Sequence, residues 1–246
     1  MKRYLLAAST VAMLALPASG ALAQDGAVET REDVEGIVRD YLLNNPEILL
    51  EMQTVLEQRQ QEQQAVAQSK IIEEASDRLY ESSYDGVIGN PDASVTVVEF
   101  FDYNCGFCKR ALADMEALIA ENDDVKFVLK EFPILGPDSQ QAHIVSMAFQ
   151  KLMPEKYEEF HTRLLRLDAR ADESAAMTIA KDLGADDAAL REAMKDPQIM
   201  ASFSDTFELA NALQITGTPS YVVGKEVVFG ALGKDVLVEK IKQAAQ

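Results

Sequence analysis

Cysteine is scarce in this chain: 246 residues hold two, Cys105 and Cys108, with two positions between them. Only His143 and His161 could join them as soft ligands and there is no second cysteine pair, so a closed tetrahedral zinc site lacks its donors. A structural staple is a poor explanation too, because a bond closing a four-residue loop removes only ~2 kcal/mol of unfolded-state entropy. Basic residues are also few, 23 against 41 acidic ones, for a formal net charge of −18. Such a surface repels phosphate backbones and anionic lipid heads, which argues against nucleic acid or a membrane surface as partner. The apolar run Tyr4 to Leu16 is too short to span a bilayer. No internal repeat is visible.

That short run is informative in another way. Lys2 and Arg3 precede it, "PASGALAQ" closes it, and small residues Ala21 and Ala23 stand where a signal peptidase reads them. Residues 1–23 therefore read as a secretory signal cleaved before Gln24, and no lipid-anchor cysteine follows. The expectation is a soluble exported protein of 223 residues in the periplasm, where disulfides form and persist, with no membrane insertion after cleavage. Losing Lys2 and Arg3 moves its formal charge from −18 to −20. That length accommodates a buried core plus an accessory segment.

Apolar residues recur with helical spacing at Val34, Ile37, Val38, Tyr41 and Leu42, and again at Ile48, Leu49, Met52, Val55 and Leu56, with Pro46 in the break. The stretch "EQRQQEQQAVAQSKIIEEASDRLYES" that follows is rich in helix formers but thin in apolar positions. It reads as a solvated helical linker or as a helix that packs on a second copy of the chain. Two glycines and a proline in "DGVIGNPDAS" mark a domain boundary, giving an N-terminal helical oligomerisation and linker region over 24–85 and a second domain over 86–246. "SVTVVEFFD" and "VKFVLKEFPI" are of strand type and flank a helical pattern through Leu112, Met115, Leu118 and Ile119, which suggests a parallel crossover unit. Residues 138–213 show helical stripes instead: Ala142, Val145, Phe149; Tyr157, Phe160, Leu164; Ala176, Ile179, Leu183; Met200, Phe203, Phe207, Ala210. "PSYVVG" and "EVVFG" then return to strands, and a helix closes the chain. His143 and His161, and the methionines 147, 153, 177, 194 and 200, sit on these stripes and read as packing residues rather than ligands.

The cysteine pair falls where a strand hands over to a helix. Unpaired backbone N–H groups and the positive end of the helix dipole face Cys105 there and favour its thiolate, with Lys109 and Arg110 adding positive charge nearby. A thiolate so placed attacks disulfides, and Cys108, one turn further in, can displace what it captures. Redox exchange is the reading that spacing and position favour. Cu(I), which accepts few thiolates, stays open.

"FFDYNCGFCKR" together with "ITGTPSYVVG" resembles the thioredoxin-fold disulfide oxidoreductases of the bacterial envelope, of the DsbA type with a helical insertion. Ahead of that domain, "VRDYLLNNPEILLEM" is similar to the N-terminal segment of the suppressor-of-copper-sensitivity ScsC proteins. The resemblance implies an α/β thioredoxin fold with an inserted helical domain, preceded by an N-terminal helical oligomerisation arm. It implies Cys105 as nucleophile, Cys108 as resolving thiol, and a substrate-facing loop in which Thr218 precedes a cis Pro219. Gly106 and Phe107, between the cysteines, join that substrate surface. Glu99 stands where the family carries a buried acid that takes a proton from Cys108, and Lys130 matches a position close to that acid. No cofactor is implied beyond the redox-active Cys105–Cys108 pair.

Gly106 and Phe107 are uncharged, and the histidine that stabilises the thiolate of strong oxidants is missing between the cysteines, so the bound disulfide is expected to be less oxidising. That favours a disulfide isomerase acting on misoxidised exported proteins, assembled through its N-terminal helices and served by an envelope redox partner. A monomeric dithiol oxidase, a Cu(I)-binding copper-tolerance protein and a chaperone without chemistry are the alternatives.

Overall fold

The computed structural model describes residues 30–245; the signal segment and the cleavage site before Gln24 lie outside them. The chain divides into two compact units, Met1–Glu57 and Gln58–Gln246.

In the first unit, helix α1 (Arg31–Asn44) opens with a capping box: Thr30 Oγ1 accepts the Asp33 N–H and Asp33 Oδ2 accepts the Thr30 N–H, both at 3.1 Å. After the turn at Pro46, α2 (Ile48–Glu74) begins. It runs for 27 residues, because the polar stretch expected as linker is made of good helix formers and simply continues it. Val34, Ile37, Val38, Tyr41 and Leu42 on α1, and Leu49, Met52, Val55 and Leu56 on α2, are all exposed.

Residues 58–74 of α2 belong to the second unit, where they are less idle than their composition suggests. Gln68 is buried and donates to the Leu213 carbonyl at 2.9 Å, and Ile72 is buried with it. A short helix α3 (Ser76–Tyr80) adds the fully buried Leu79. The sheet comprises β1 (Gly86–Gly89), β2 (Val95–Phe101), β3 (Val125–Glu131), β4 (Ser220–Val223) and β5 (Glu226–Phe229) in the order β1-β3-β2-β4-β5. Only β2 and β3 are parallel, and α4 (Gly106–Glu121) makes the crossover between them. Between β3 and β4 come α5 (Pro137–Leu152), α6 (Tyr157–Leu165), α7 (Glu173–Asp182), α8 (Asp187–Ala193) and α9 (Pro197–Ala212), and α10 (Lys234–Ala244) ends the order. This is the thioredoxin-like arrangement with a helical insertion.

Two differences from the sequence reading stand out. The boundary segment "GVIG" is a strand, pairing antiparallel with β3 from Gly86↔Leu129 to Gly89↔Lys126. Its first glycine serves close packing rather than a turn, since a Cβ on Gly86 would fall 1.9 Å from the Tyr157 ring. On α9 the buried stripe is Ile199, Phe203, Thr206, Leu209 and Ala210, leaving Met200 and Phe207 exposed.

Alternation along the strands sorts the core into two layers. Val95, Val97, Phe101, Val125, Phe127 and Leu129 face α4, α10 and the insertion. Val98, Phe100, Val128 and Val222 face Ile72, Leu79, Leu209 and Leu213. Among the described residues no helix is long and apolar enough to cross a membrane.

Lys130 lies in the second layer, 1% exposed at its side chain, with Nζ 2.5 Å from Asp85 Oδ2 and a further bond to the Arg78 carbonyl. Burial pushes the Asp85 carboxyl up to about 7 even with this partner. Removing one member of a buried pair strands the other. We expect Lys130→Met to cost about 3–5 kcal/mol in urea unfolding, and Asp85→Asn combined with Lys130→Met to recover most of that loss.

Candidate active site

The site is built where β2 ends. Phe101 closes the strand, residues 102–105 turn, and Cys105 becomes the N-cap of α4 with φ −78° and ψ 115°. The Cys105 N–H donates to the Asp102 carbonyl at 3.0 Å. Asp102 Oδ1 accepts the Asn104 N–H at 2.8 Å and the Ser139 hydroxyl at 2.8 Å, while Oδ2 accepts the Leu135 N–H at 3.0 Å. Asn104 ties the turn to the insertion, donating to the Ala171 carbonyl and accepting the Ala171 N–H, each at 2.8 Å.

Both thiols are unbonded and the two differ sharply. Cys105 is pulled down from the ordinary thiol range to about 5. The largest cause is the Cys108 thiol, which donates to it; burial works against this, and the Thr218 side chain and the backbone N–H groups of Cys108 and Phe107 support it. As a thiol, Cys105 Sγ donates to the Thr218 carbonyl at 3.1 Å. Cys108 is fully buried, and burial first, then its bond to Cys105 and the charge of Glu99, push it far above that range. Only one of the two sulfurs can ionise near neutrality.

Thr218 and Pro219 stand against Cys105, and the bond between them is cis. Gly106 and Phe107 are exposed at the start of α4; Phe107 is 57% exposed and carries the Arg110 guanidinium 4.2 Å from its ring centre. Lys109 is spent elsewhere, donating to the Leu167 carbonyl at 2.5 Å. The thiolate is therefore set by a thiol, a hydroxyl and two amides, with neither Lys109 nor Arg110 among its causes.

Glu99 is 5% exposed and lies directly across from Tyr221 on β4. Burial raises its carboxyl to about 8, the negative charge of Cys105 adds to the rise, and a hydrogen bond from Tyr221 opposes it. Lys130 is not beside it. In the parallel register Lys130 pairs with Phe100, so its side chain emerges on the opposite layer, where it meets Asp85. The expected adjacency of Lys130 to Glu99 is corrected accordingly.

Several residues around the site were not singled out from sequence. Asp102 and Asn104 had a signal: Asx residues flanking Tyr103 just before a helix are turn formers. Tyr221 had none, because its partner is fixed by strand register. His143 and His161 pack as expected but also bond to Tyr103, which required the tertiary structure to see.

A family model for the DSBA-like thioredoxin domain matches residues 96–242, and one for the copper resistance protein ScsC N-terminal domain matches residues 31–63. Disulfide bond formation protein D of Bacillus subtilis is 27% identical over 167 residues, 64% of this chain and 75% of that protein. A thioredoxin-like oxidoreductase from Silicibacter pomeroyi is 36% identical with a TM-score of 0.65, over 69% of this chain and 96% of the other. The catalytic domain of Proteus mirabilis ScsC is 27% identical with a TM-score of 0.65, over 72% and 99%. The paired thiols at the head of α4, the cis-proline loop against them and these likenesses agree: the chain belongs to the DSBA-like thioredoxin family, as a thiol-disulfide oxidoreductase of the DsbA and ScsC kind.

Proposed function

We propose that this protein is an exported, periplasmic disulfide isomerase that assembles through its N-terminal helices. The observation that carries the chemistry is the single ionised sulfur, Cys105 at about 5 beside a Cys108 held protonated. The Cys105 thiolate attacks one sulfur of a substrate disulfide, the S–S bond breaks, and the other sulfur leaves as a thiolate. That thiolate attacks elsewhere in the substrate, and a substrate thiolate finally displaces Cys105. No net electrons are exchanged. When the mixed disulfide stalls, Cys108 attacks Cys105; the substrate leaves reduced and the pair becomes a disulfide, which an envelope redox partner reduces again.

Glu99 handles the proton of that escape step. With Cys105 anionic, burial and the nearby charge keep Glu99 at about 8, mostly protonated at neutral pH. Formation of the mixed disulfide cancels the Cys105 charge, which lowers the proton affinity of Glu99 and frees it to accept the Cys108 proton. Capture thus raises the fraction of Glu99 that is ionised and able to take that proton. Thr218 and Pro219, with Gly106 and Phe107, form the surface on which a peptide lies, Thr218 offering its backbone to an added strand.

The isomerase reading is supported by the ScsC-type segment at 31–63 and by the exposed apolar residues of α1 and α2, from Val34 to Leu56. Copies joined there present several sites to one substrate and hold it by avidity. Oxidase action is the second reading, favoured by the depressed Cys105 itself. A value of about 5 lies between roughly 7 for thioredoxin and roughly 3.5 for DsbA, hence a disulfide of intermediate oxidising strength.

Thiolate absorbance and alkylation rate should both rise with a midpoint near pH 5 and vanish in Cys105→Ser; a midpoint above 8 would remove the basis of the mechanism. Because the folded value is depressed from 9.0, the thiolate stabilises the reduced form fully above pH 9, and that gain is lost as pH falls through about 5. Glu99→Gln is expected to slow mixed-disulfide resolution roughly 10–100-fold at pH 7, read as trapped complex on non-reducing gels. By light scattering the mature chain should be an oligomer and the form lacking residues 24–60 a monomer. Only the former should refold a scrambled multi-disulfide substrate. Equal recovery by both would reassign the protein as an oxidase.

A further inference from the structure

In front of the sheet, beneath the redox turn, lies a buried polar cluster that disulfide exchange does not use: Glu131 at the end of β3, His143 and Ser146 on α5, Tyr157 and His161 on α6, and Tyr103 in the turn itself. Its hydrogen bonds can be given directions. Glu131 Oε1 accepts the Ser146 hydroxyl at 2.6 Å and the Tyr157 hydroxyl at 3.2 Å. With its proton so committed, Ser146 must accept from the Tyr103 phenol, 2.7 Å away. The phenol oxygen then takes its remaining bond from His161, whose Nδ1 lies at 3.2 Å and whose burial lowers it to about 3, keeping the ring neutral. On the other side, His143 Nε2 accepts the Tyr103 backbone N–H at 3.2 Å, so its proton sits on Nδ1, which contacts Glu131 Oε2. The cluster leaves Tyr103 by its phenol and returns to it by its amide.

Tyr103 occupies the second position of the turn closed by the Cys105 N–H on the Asp102 carbonyl. Asn104, the third position, is already tied by its N–H to Asp102 Oδ1 at 2.8 Å. The peptide between Asp102 and Tyr103 is held at its carbonyl by the Cys105 N–H and at its amide by His143. Its plane sets the direction in which the chain enters α4, and with it the position of Sγ relative to the Phe107 and Cys108 amides. Other charged or titratable groups facing His143 are few: Asp102 Oδ1 at 4.0 Å from Nε2, and the rings of Tyr103 and His161 across the same core.

We infer that His143, oriented by Glu131, is a positioning residue that fixes the Tyr103 peptide and so holds Cys105 in register with the amides at the head of α4. The inference rests on Cys105 being the attacking thiolate, which the wild-type titration tests separately. Asparagine and glutamine divide the two bonds of the histidine, because the asparagine amide overlays Nδ1 and the glutamine amide overlays Nε2. His143→Asn keeps a donor for Glu131 and loses the acceptor for Tyr103; His143→Gln does the reverse.

The experiment is pH titration of Cys105 by thiolate absorbance, together with redox equilibration against glutathione, on both full-length mature variants. His143→Asn should raise the Cys105 midpoint by about one unit and lower its equilibrium oxidising strength about tenfold, equivalent to ~30 mV. His143→Gln should stay within a few tenths of a unit of wild type, although thermal unfolding shows both variants destabilised. Equal shifts in both, or no shift in either, would reduce His143 to a packing residue and overturn the inference. A measurement on the unaltered chain guards against a variant that fails to fold. In NMR spectra the Tyr103 amide proton and the His143 ring nitrogens should follow the Cys105 titration. Ring and amide signals that stay flat through that midpoint would equally overturn it.

Discussion

The structure turns on one hydrogen bond between two sulfurs. Cys108, fully buried, keeps its proton while both thiols are reduced and shares it with Cys105, the N-cap of α4. That donation is the largest cause of the Cys105 shift, ahead of the hydroxyl and the amides. The two intervening residues are what permit it, since they set the second thiol about one helical turn inside the first. Positive side chains are not needed, and the two nearest in sequence are employed otherwise: Arg110 over Phe107, Lys109 on the Leu167 carbonyl. An acidic protein can in this way hold a reactive anion without a cationic pocket that would neutralise its surface.

The surrounding fold reads as support for that geometry. The parallel pair β2 and β3 places α4 above the sheet, β4 brings the Thr218–Pro219 loop against Cys105, and the insertion closes the remaining side through Asn104 and Ala171. Each support arrives from a different stretch of chain, so the sulfur is fixed by tertiary contacts on three sides while the side of Gly106 and Phe107 stays open.

Much of this could be read before any coordinates. The cysteine spacing, the strand-to-helix handover and the helical stripes are local patterns, and local patterns survive folding. What escaped reading depends on partners far away in sequence. The strand at Gly86–Gly89 was hidden by its own glycines, which mark close approach to Tyr157 as readily as a turn. Ile72 and Leu79 carry too few apolar neighbours to announce a core face, yet they cover the second layer of the sheet. Exposure of Met200 and Phe207 reflects a stripe displaced by one residue, which helical spacing resolves poorly. The bonds of His143 and His161 to Tyr103 join three separate elements, and no pattern within any one of them encodes the meeting.

Strand alternation decides the chemistry more than residue type does. Lys130 and Glu131 are adjacent on β3 and so emerge on opposite layers. Were the lysine on the layer of the sulfurs, an ammonium near Glu99 would favour its anion, and the carboxyl would fall toward the ordinary range. Placed behind the sheet, the lysine serves Asp85, and Glu99 is left to burial, Cys105 and Tyr221. Its proton affinity then follows the charge on Cys105, which is the quantity that changes when a substrate is captured. Glu131 shares the front layer, but Ser146, Tyr157 and His143 crowd its oxygens, which ties it to the architecture of the turn. Two buried carboxyl groups on neighbouring strands thereby take separate tasks: Glu99, with a single opposing hydroxyl, exchanges the proton, and Glu131, with three partners, holds the shape of the turn.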